Sequence, residues 1–261
     1  MNIKKLVNWK LFLALLLASL FSILAIMPFI LTLQGDLLKS IPMPLPFVLL
    51  IIVAQSIFLF AILIFIGLKL STTLGFKIPI IERIVTKEKI DFDIKSIIKT
   101  SVLFGCLVGI AILLLDFLFF QFGLESLFKE VSVPIWQGFL ASFYGGISEE
   151  IVMRLFFMTF MVWLIGKITR AKGRIIENSL LVWTSIFIAA LLFGAGHLPI
   201  TSELMTLTPL IIFRALLLNG IGGVVFGWLY WKKGLESAMI AHFSADIIIY
   251  VCLPFILMML W

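Results

Sequence analysis

The stretch "MNIKKLVNWKLFLALLLASLFSILAIMPFIL", residues 1–31, decides the fold class, because its apolar run is long enough to cross a bilayer. The run exceeds the apolar region of a signal peptide and no small-residue cleavage site follows it, so we predict a retained first span. Of the 261 residues, 62% are hydrophobic, whereas a soluble domain is roughly half apolar. The sequence therefore predicts an integral membrane protein.

Hydropathy predicts an all-α fold, a polytopic transmembrane bundle of about seven to eight helices. The chain is divided into N-terminal transmembrane helices with a cytoplasmic loop, residues 1–133, and a helical core that carries the polar motifs, residues 134–261. The seven predicted spans are residues 11–33, 45–68, 97–121, 134–166, 178–196, 209–231 and 235–260.

The basic residues lie almost entirely on one side of these spans. Sixteen of the twenty lysines and arginines fall at the N-terminus, in the 69–99 segment, in the 167–174 loop and in the turn at Lys232. The positive-inside rule therefore predicts a cytoplasmic N-terminus and an external C-terminus. This placement also accounts for the net charge of +6 without a nucleic-acid partner.

The connection between the second and third spans is charged and is expected to contain a helix of its own. Its charges and the pattern "DFDIKSIIK", residues 91–99, predict a short interfacial helix before the third span. The two cysteines, Cys106 and Cys252, lie in apolar spans and indicate neither a disulfide framework nor a metal site.

Ionisable residues inside the spans indicate a functional site, because they are costly in hydrocarbon. In "EEIVMR", residues 149–154, Glu150 and Arg154 are four apart and share a helix face, where they can pair. Glu149 points about 100° away around the helix and remains free to face a cavity. A charge pair at the membrane interface is the structural alternative.

Both histidines of the chain belong to similar motifs. His197 ends the run "FGAGHLP", residues 193–199, where a helix C-terminus would also favour it. His242 and Asp246 are four apart in "AHFSAD", residues 241–246, so the carboxylate can accept an imidazole N–H and orient the ring. A purely structural polar pair between helices is the alternative.

Together these residues can activate water, since a carboxylate or histidine takes its proton and the other groups stabilise an oxyanion. A zinc ion held by Glu149, His197 and His242 is the alternative, although the H-E-x-x-H signature is missing. A serine mechanism at Ser148 lacks a nucleophile elbow.

The three motifs resemble those of the CaaX-protease and bacteriocin-processing family (CPBP), which includes the type II CaaX prenyl endopeptidases. The family pattern E-E-x-x-x-R, F-x-x-x-H and H-x-x-x-N/D reads here as "EEIVMR", "FGAGH" and "HFSAD". The resemblance covers residues 134–250 and implies intramembrane cleavage of a peptide bond.

The resemblance also implies roles for the site residues. Glu149 and His197 would activate the water, His242 and Asp246 would support the oxyanion, and Glu150 and Arg154 would be structural partners. The CaaX enzymes carry asparagine at the position of Asp246, and an ionised aspartate cannot donate a hydrogen bond. We therefore expect Asp246 to orient His242, and the departure weakens the case for a CaaX substrate.

The implied partners are the lipid bilayer and a membrane-embedded or lipid-anchored substrate, a CaaX-type prenylated protein being one candidate, and the implied location is a prokaryotic plasma membrane. We expect no tightly bound metal or other cofactor, because a glutamate–histidine pair can deprotonate water. A non-catalytic scaffold or immunity factor and a proton-coupled transporter are the alternative functions. The lack of an internal repeat argues against the transporter.

Counting residues along the predicted helices places His197 and His242 at different depths in the membrane. His242 lies about 10 Å and His197 about 28 Å from the cytoplasmic ends of their predicted helices. We therefore predict that the hairpin between spans four and five, with its tip near Lys172, overhangs the membrane by roughly 20 Å on the cytoplasmic side. The site would then open toward the cytoplasm, and Gly145 and Gly146 would break the long fourth span.

Two further features of the sixth span have structural interpretations. Arg214 has two interpretations of equal weight, a structural ion pair with Asp116 or a functional contact with a catalytic-site acid or a substrate carboxylate. Gly223 and Gly227 form a G-x-x-x-G face for close helix packing.

Overall fold

The computed structural model describes residues 7–124, 133–171 and 173–260, and within these ranges the chain is helical without a β-strand. The predicted all-α class is confirmed. In chain order the α-helices of these ranges are α1 (Trp9–Ser40), α2 (Leu45–Leu74), α3 (Pro79–Thr86), α4 (Ile94–Gln121), α5 (Ile135–Phe143), α6 (Thr159–Ile168), α7 (Ser179–Gly196), α8 (Leu198–Leu204), α9 (Pro209–Lys233), α10 (Leu235–Ile247) and α11 (Leu253–Leu260).

Seven helices within these ranges are long and apolar enough to cross a membrane, which confirms the predicted seven spans. The fourth span joins α5 to α6, the fifth joins α7 to α8, and the seventh joins α10 to α11. The helices α1 and α2 are longer than their predicted apolar spans, because the polar residues at the ends of those spans are also helical. The Thr72 and Thr73 hydroxyls, for example, donate to backbone carbonyls one turn earlier in α2.

Side chains cap the helices at the end of the bundle that carries the basic loops. Asn8 accepts hydrogen bonds from the first turn of α1, Asp93 from that of α4, and Asn178 from that of α7. Each cap satisfies backbone N–H groups that would otherwise lack a partner. These three residues therefore mark where the first, third and fifth spans begin, all at the same end of the bundle.

The fourth span differs from its prediction. Gly145 and Gly146 do not break it, because the helix continues from α5 into α6 through π-helical segments at Tyr144–Glu149 and Ile151–Met158. A π-helix adds a residue to each turn and often occurs at functional sites. A third π-helical segment, Ile248–Cys252, joins α10 to α11.

The interfacial helix was predicted in the right connection but at the wrong residues. It is α3, Pro79–Thr86, whereas "DFDIKSIIK" starts the third span, with Asp93 capping α4 through the backbone N–H of Ser96. The aspartate cap and the apolar residues after it favour continuation into the span over a separate helix.

Small residues bring the core helices into close contact. A Cβ at Gly223 would lie 2.7 Å from Ala190 and one at Gly227 would lie 3.1 Å from Ile186, so α9 packs tightly on α7, as the G-x-x-x-G motif predicts. Gly105 of α4 allows equally close contact with the backbone of Ala241 in α10. The Gly105 contact holds α4 against α10, which carries two of the predicted site residues.

Arg214 forms a buried ion pair with Asp116, linking α9 to α4. The pair confirms the structural interpretation of Arg214. Both residues are almost fully buried.

The predicted overhang of the hairpin between the fourth and fifth spans stays a prediction, although α6 extends past the end of α9. Thr159 hydrogen-bonds with Tyr230 at 2.9 Å, after which α9 ends within three residues but α6 runs on to Ile168, about 13 Å further. Lys172, the predicted tip, lies outside the described residues. The division of the chain at residue 133 stays a prediction.

Candidate active site

The buried core of the site is an ion pair on the fourth span. Glu150 and Arg154 have side chains 0% and 1% exposed, and Glu150 Oε2 lies 3.1 Å from Arg154 Nε. The guanidinium also faces the rings of Phe193 and Phe226 at 5.2 and 5.6 Å. The pairing predicted from the i, i+4 spacing is confirmed.

Glu150 has a second partner that the sequence did not indicate. Its Oε1 lies 2.7 Å from Nδ1 of His242 on α10, and the ring of Phe226 stacks on the imidazole with centroids 4.7 Å apart. A carboxylate that accepts the Nδ1 proton fixes the orientation of the ring. Glu150, rather than Asp246, therefore orients His242.

The other nitrogen of His242 faces two further carboxyl groups. Nε2 lies 3.7 Å from Glu149 Oε2 and 3.8 Å from Asp246 Oδ1. Both distances exceed a direct hydrogen bond and suit groups that share an intervening water or substrate atom. The i, i+4 spacing thus brings Asp246 beside His242, but at the nitrogen opposite the one that Glu150 holds.

The π-helix turns the two adjacent glutamates in different directions. Glu149 is 26% exposed and lines a cavity, whereas Glu150 is fully buried. Gly145, one turn earlier, lets Asp246 come close, because a Cβ there would collide with Asp246 Oδ2. The predicted separation of a free and a paired glutamate is confirmed.

His197 lies at the C-terminal end of α7 and lines the same cavity. Its Nδ1 is 2.9 Å from the carbonyl oxygen of Phe193. Because a carbonyl only accepts, Nδ1 carries the proton and Nε2 of the neutral ring is free to accept one. In the described structure no ion pair within 4.0 Å joins His197 to Glu149. Phe193 separates the two imidazoles, with its ring 4.7 Å from His197 and 5.7 Å from His242.

The cavity has a volume of about 1090 Å³ and brings together the four residues predicted to be catalytic. The prediction that it opens toward the basic loops is wrong. Its walls extend the other way, to the ends of the helices opposite those loops, and include Leu33, Trp136, Leu204 and Met258. Residue counting failed because α7 carries His197 beyond the level of His242 rather than beside it.

The residues of the zinc alternative do not converge. Among the described residues, no group of three histidine, cysteine, aspartate or glutamate side chains is placed to hold a metal ion. The absence of a tightly bound metal stays a prediction.

Two phenylalanines belong to the site although the sequence suggested only packing. Phe193 touches both imidazoles, and Phe226 lies between His242 and Arg154. The only sequence signal was that Phe193 begins the "FGAGH" motif. Phe226 gave none.

Residues 131–248 match the family model of the Rce1-like type II CAAX prenyl endopeptidases. The match confirms the family resemblance and contains all six predicted site residues, Glu149, Glu150, Arg154, His197, His242 and Asp246. No protein with a curated description and no solved structure matches the chain.

Proposed function

We propose that this chain, which through residues 131–248 belongs to the Rce1-like family of type II CAAX prenyl endopeptidases, is an intramembrane endopeptidase. Its substrate is a membrane-associated protein or peptide, for which the family name offers a prenylated CaaX-type protein as one candidate. The observation that carries the proposal is the position of Glu149, a partly exposed carboxyl group on the cavity wall, 3.7 Å from Nε2 of His242.

In this mechanism Glu149 is the general base. It takes a proton from a water molecule as the water oxygen bonds to the carbonyl carbon of the scissile peptide. The same carboxyl group then gives the proton to the leaving amine as the C–N bond breaks. His197 assists through Nε2, which is the accepting nitrogen when Nδ1 donates to Phe193.

The Nε2–H of His242 and, when it is protonated, the carboxyl group of Asp246 donate to the oxyanion of the tetrahedral intermediate. With Nδ1 held by Glu150, Nε2 of His242 points toward Glu149 and Asp246, and when it carries a proton it donates to the oxyanion. Glu150 and Arg154 are positioning residues, because they act through His242.

Peptides released from membranes test this function. Membranes that contain the wild-type protein should release peptides that membranes with Glu149→Gln do not, measured by mass spectrometry at equal protein levels. Glu203→Gln is the matched control, since Glu203 is an exposed residue of α8. Identical peptide release from the wild-type and Glu149→Gln membranes would contradict the proposal.

A further inference from the structure

The cavity is polar at its inner end, called the floor here, and apolar at its open end, called the mouth. The floor holds Glu149, His242 and Asp246, beside which the buried side chains of Phe226 and Met153 also line the cavity. The mouth is formed by residues at helix ends, among which Trp136 and Met258 are exposed. These ends are opposite the turn that holds Lys232 and the loops that hold most other basic residues.

The charges of the cavity restrict what can bind there. The ionisable side chains on its described walls are Glu149, Asp246, two histidines and two tyrosines, and none is a lysine or arginine. The nearest arginine, Arg154, is buried behind Glu150, and Arg214 is buried in its pair with Asp116. A substrate carboxylate near the scissile bond would therefore meet two carboxyl groups and, on the described part of the wall, no lysine or arginine.

The depth of the cavity sets the length of chain that fills it. Glu149 lies fourteen residues after Ile135, the first residue of α5, which amounts to about 20 Å of helix. An extended peptide covers this depth with about six residues, at roughly 3.3 Å per residue. The walls beside this path are mainly apolar, so the segment that fills them is mainly apolar too.

We propose that the cavity takes its substrate from the face opposite the basic loops, as an extended apolar segment inside a longer polypeptide rather than as a chain end with a free carboxylate. By the positive-inside rule this face is the outer one. The inference rests on the proposed protease function for its chemistry. It differs from cleavage of a CaaX tail, which places a terminal carboxylate three residues, or about 10 Å, from the scissile bond.

Cysteine labelling in sealed vesicles tests the route into the cavity without any need for turnover. In a background with Cys106→Ala and Cys252→Ala, Asn219→Cys places a thiol on the cavity wall and Lys232→Cys places one at the basic end of the same helix, α9. Leu103→Cys, 58% exposed on α4, is the lipid-facing control.

A membrane-impermeant cationic thiosulfonate should label Asn219→Cys from the face opposite Lys232→Cys, and should leave Leu103→Cys unlabelled from either face. Labelling of Asn219→Cys only from the face that labels Lys232→Cys would overturn the proposed route. Equal labelling of Asn219→Cys from both faces would overturn it as well.

Protection from labelling tests the kind of segment. A twelve-residue Ala/Leu/Ser peptide with acetylated and amidated ends should protect Asn219→Cys at a concentration at least about tenfold lower than the same peptide with a free C-terminal carboxylate, since one lost charge contact of about 1.4 kcal/mol is a factor of ten. Equal or better protection by the free acid, or protection by neither peptide, would overturn the inference.

The two proposals fail separately. Full hydrolysis by Glu149→Gln would contradict the protease mechanism and leave the labelled face unchanged. Labelling from the basic face, together with hydrolysis that depends on Glu149, would contradict the route and leave the protease function intact.

Discussion

Glu150 joins two spans through one carboxylate. Its Oε1 lies 2.7 Å from Nδ1 of His242 on the seventh span, and its Oε2 lies 3.1 Å from Nε of Arg154 on its own span. Because this carboxylate is fully buried, its two contacts fix the imidazole from below and leave Nε2 directed into the cavity. The adjacent Glu149 is then the member of the doublet that can meet a water molecule.

Glu150→Gln should strongly destabilise the protein. The change leaves the charge of Arg154 buried without its counter-ion, which typically costs about 3–5 kcal/mol of unfolding free energy. Denaturation of the purified protein in mixed micelles measures the effect.

The matched control is Glu177→Gln, which breaks the exposed ion pair with Arg174 and should cost less than about 1 kcal/mol. Adding Arg154→Met to Glu150→Gln should recover much of the lost stability, because the unpaired charge is then gone. If Glu150→Gln is as stable as Glu177→Gln, the buried pair does not have the role given to it here.

Asp246→Asn should retain most of the activity, whereas Asp246→Leu should lose about 10²–10³-fold in kcat. The amide keeps the size of the side chain and can donate to an oxyanion. Asp246→Leu removes the polar group beside Nε2 of His242. The turnover of a released peptide, with the amount of folded protein checked, measures both. Equal turnover by Asp246→Leu and wild type would exclude a role at the oxyanion.

Gly145→Ala should reduce activity more than stability. The added Cβ collides with Asp246 Oδ2 and lies 3.1 Å from Nε2 of His242, so these two side chains must move away from the reacting position. Gly220→Ala is the control, since no atom lies within 4 Å of a Cβ at that site in α9. Equal activity of the two variants would show that the close approach of Asp246 does not matter for turnover.

Turnover should survive removal of metal ions, because Glu149 can take the proton from water without help from a metal ion. Purified protein treated with a chelator should keep its activity, and elemental analysis should find much less than one zinc per chain. Activity that is lost on chelation and restored by zinc would mean that His242 and its neighbouring carboxyl groups bind the ion during the reaction.

Sequence spacing predicted the contacts that lie within one helix. Glu150 and Arg154 pair because they are four residues apart, and Asp246 lies beside His242 for the same reason. The separation of Glu149 from Glu150 also follows from helix geometry. These predictions succeeded because an α-helix fixes the relative direction of nearby side chains, whatever packs around it.

Contacts between spans were not predictable in the same way. Glu150 and His242 are 92 residues apart, and the π-helix around Glu150 changes the phase by which side chains face α10. The direction of the cavity was missed because it depends on how the spans pack against one another, although α7, Ser179–Gly196, has almost its predicted bounds. Both features arise from tertiary packing, which cannot be inferred from the order of motifs along the chain.

The most direct test of the water-activating role of Glu149 is the turnover of purified protein in nanodiscs with a substrate segment identified from released peptides. Wild type and Glu203→Gln should cleave it at the same rate, and Glu149→Gln should be slower by about 10²–10⁴-fold, the usual contribution of a general base. Unimpaired cleavage by a correctly folded Glu149→Gln protein would contradict the account.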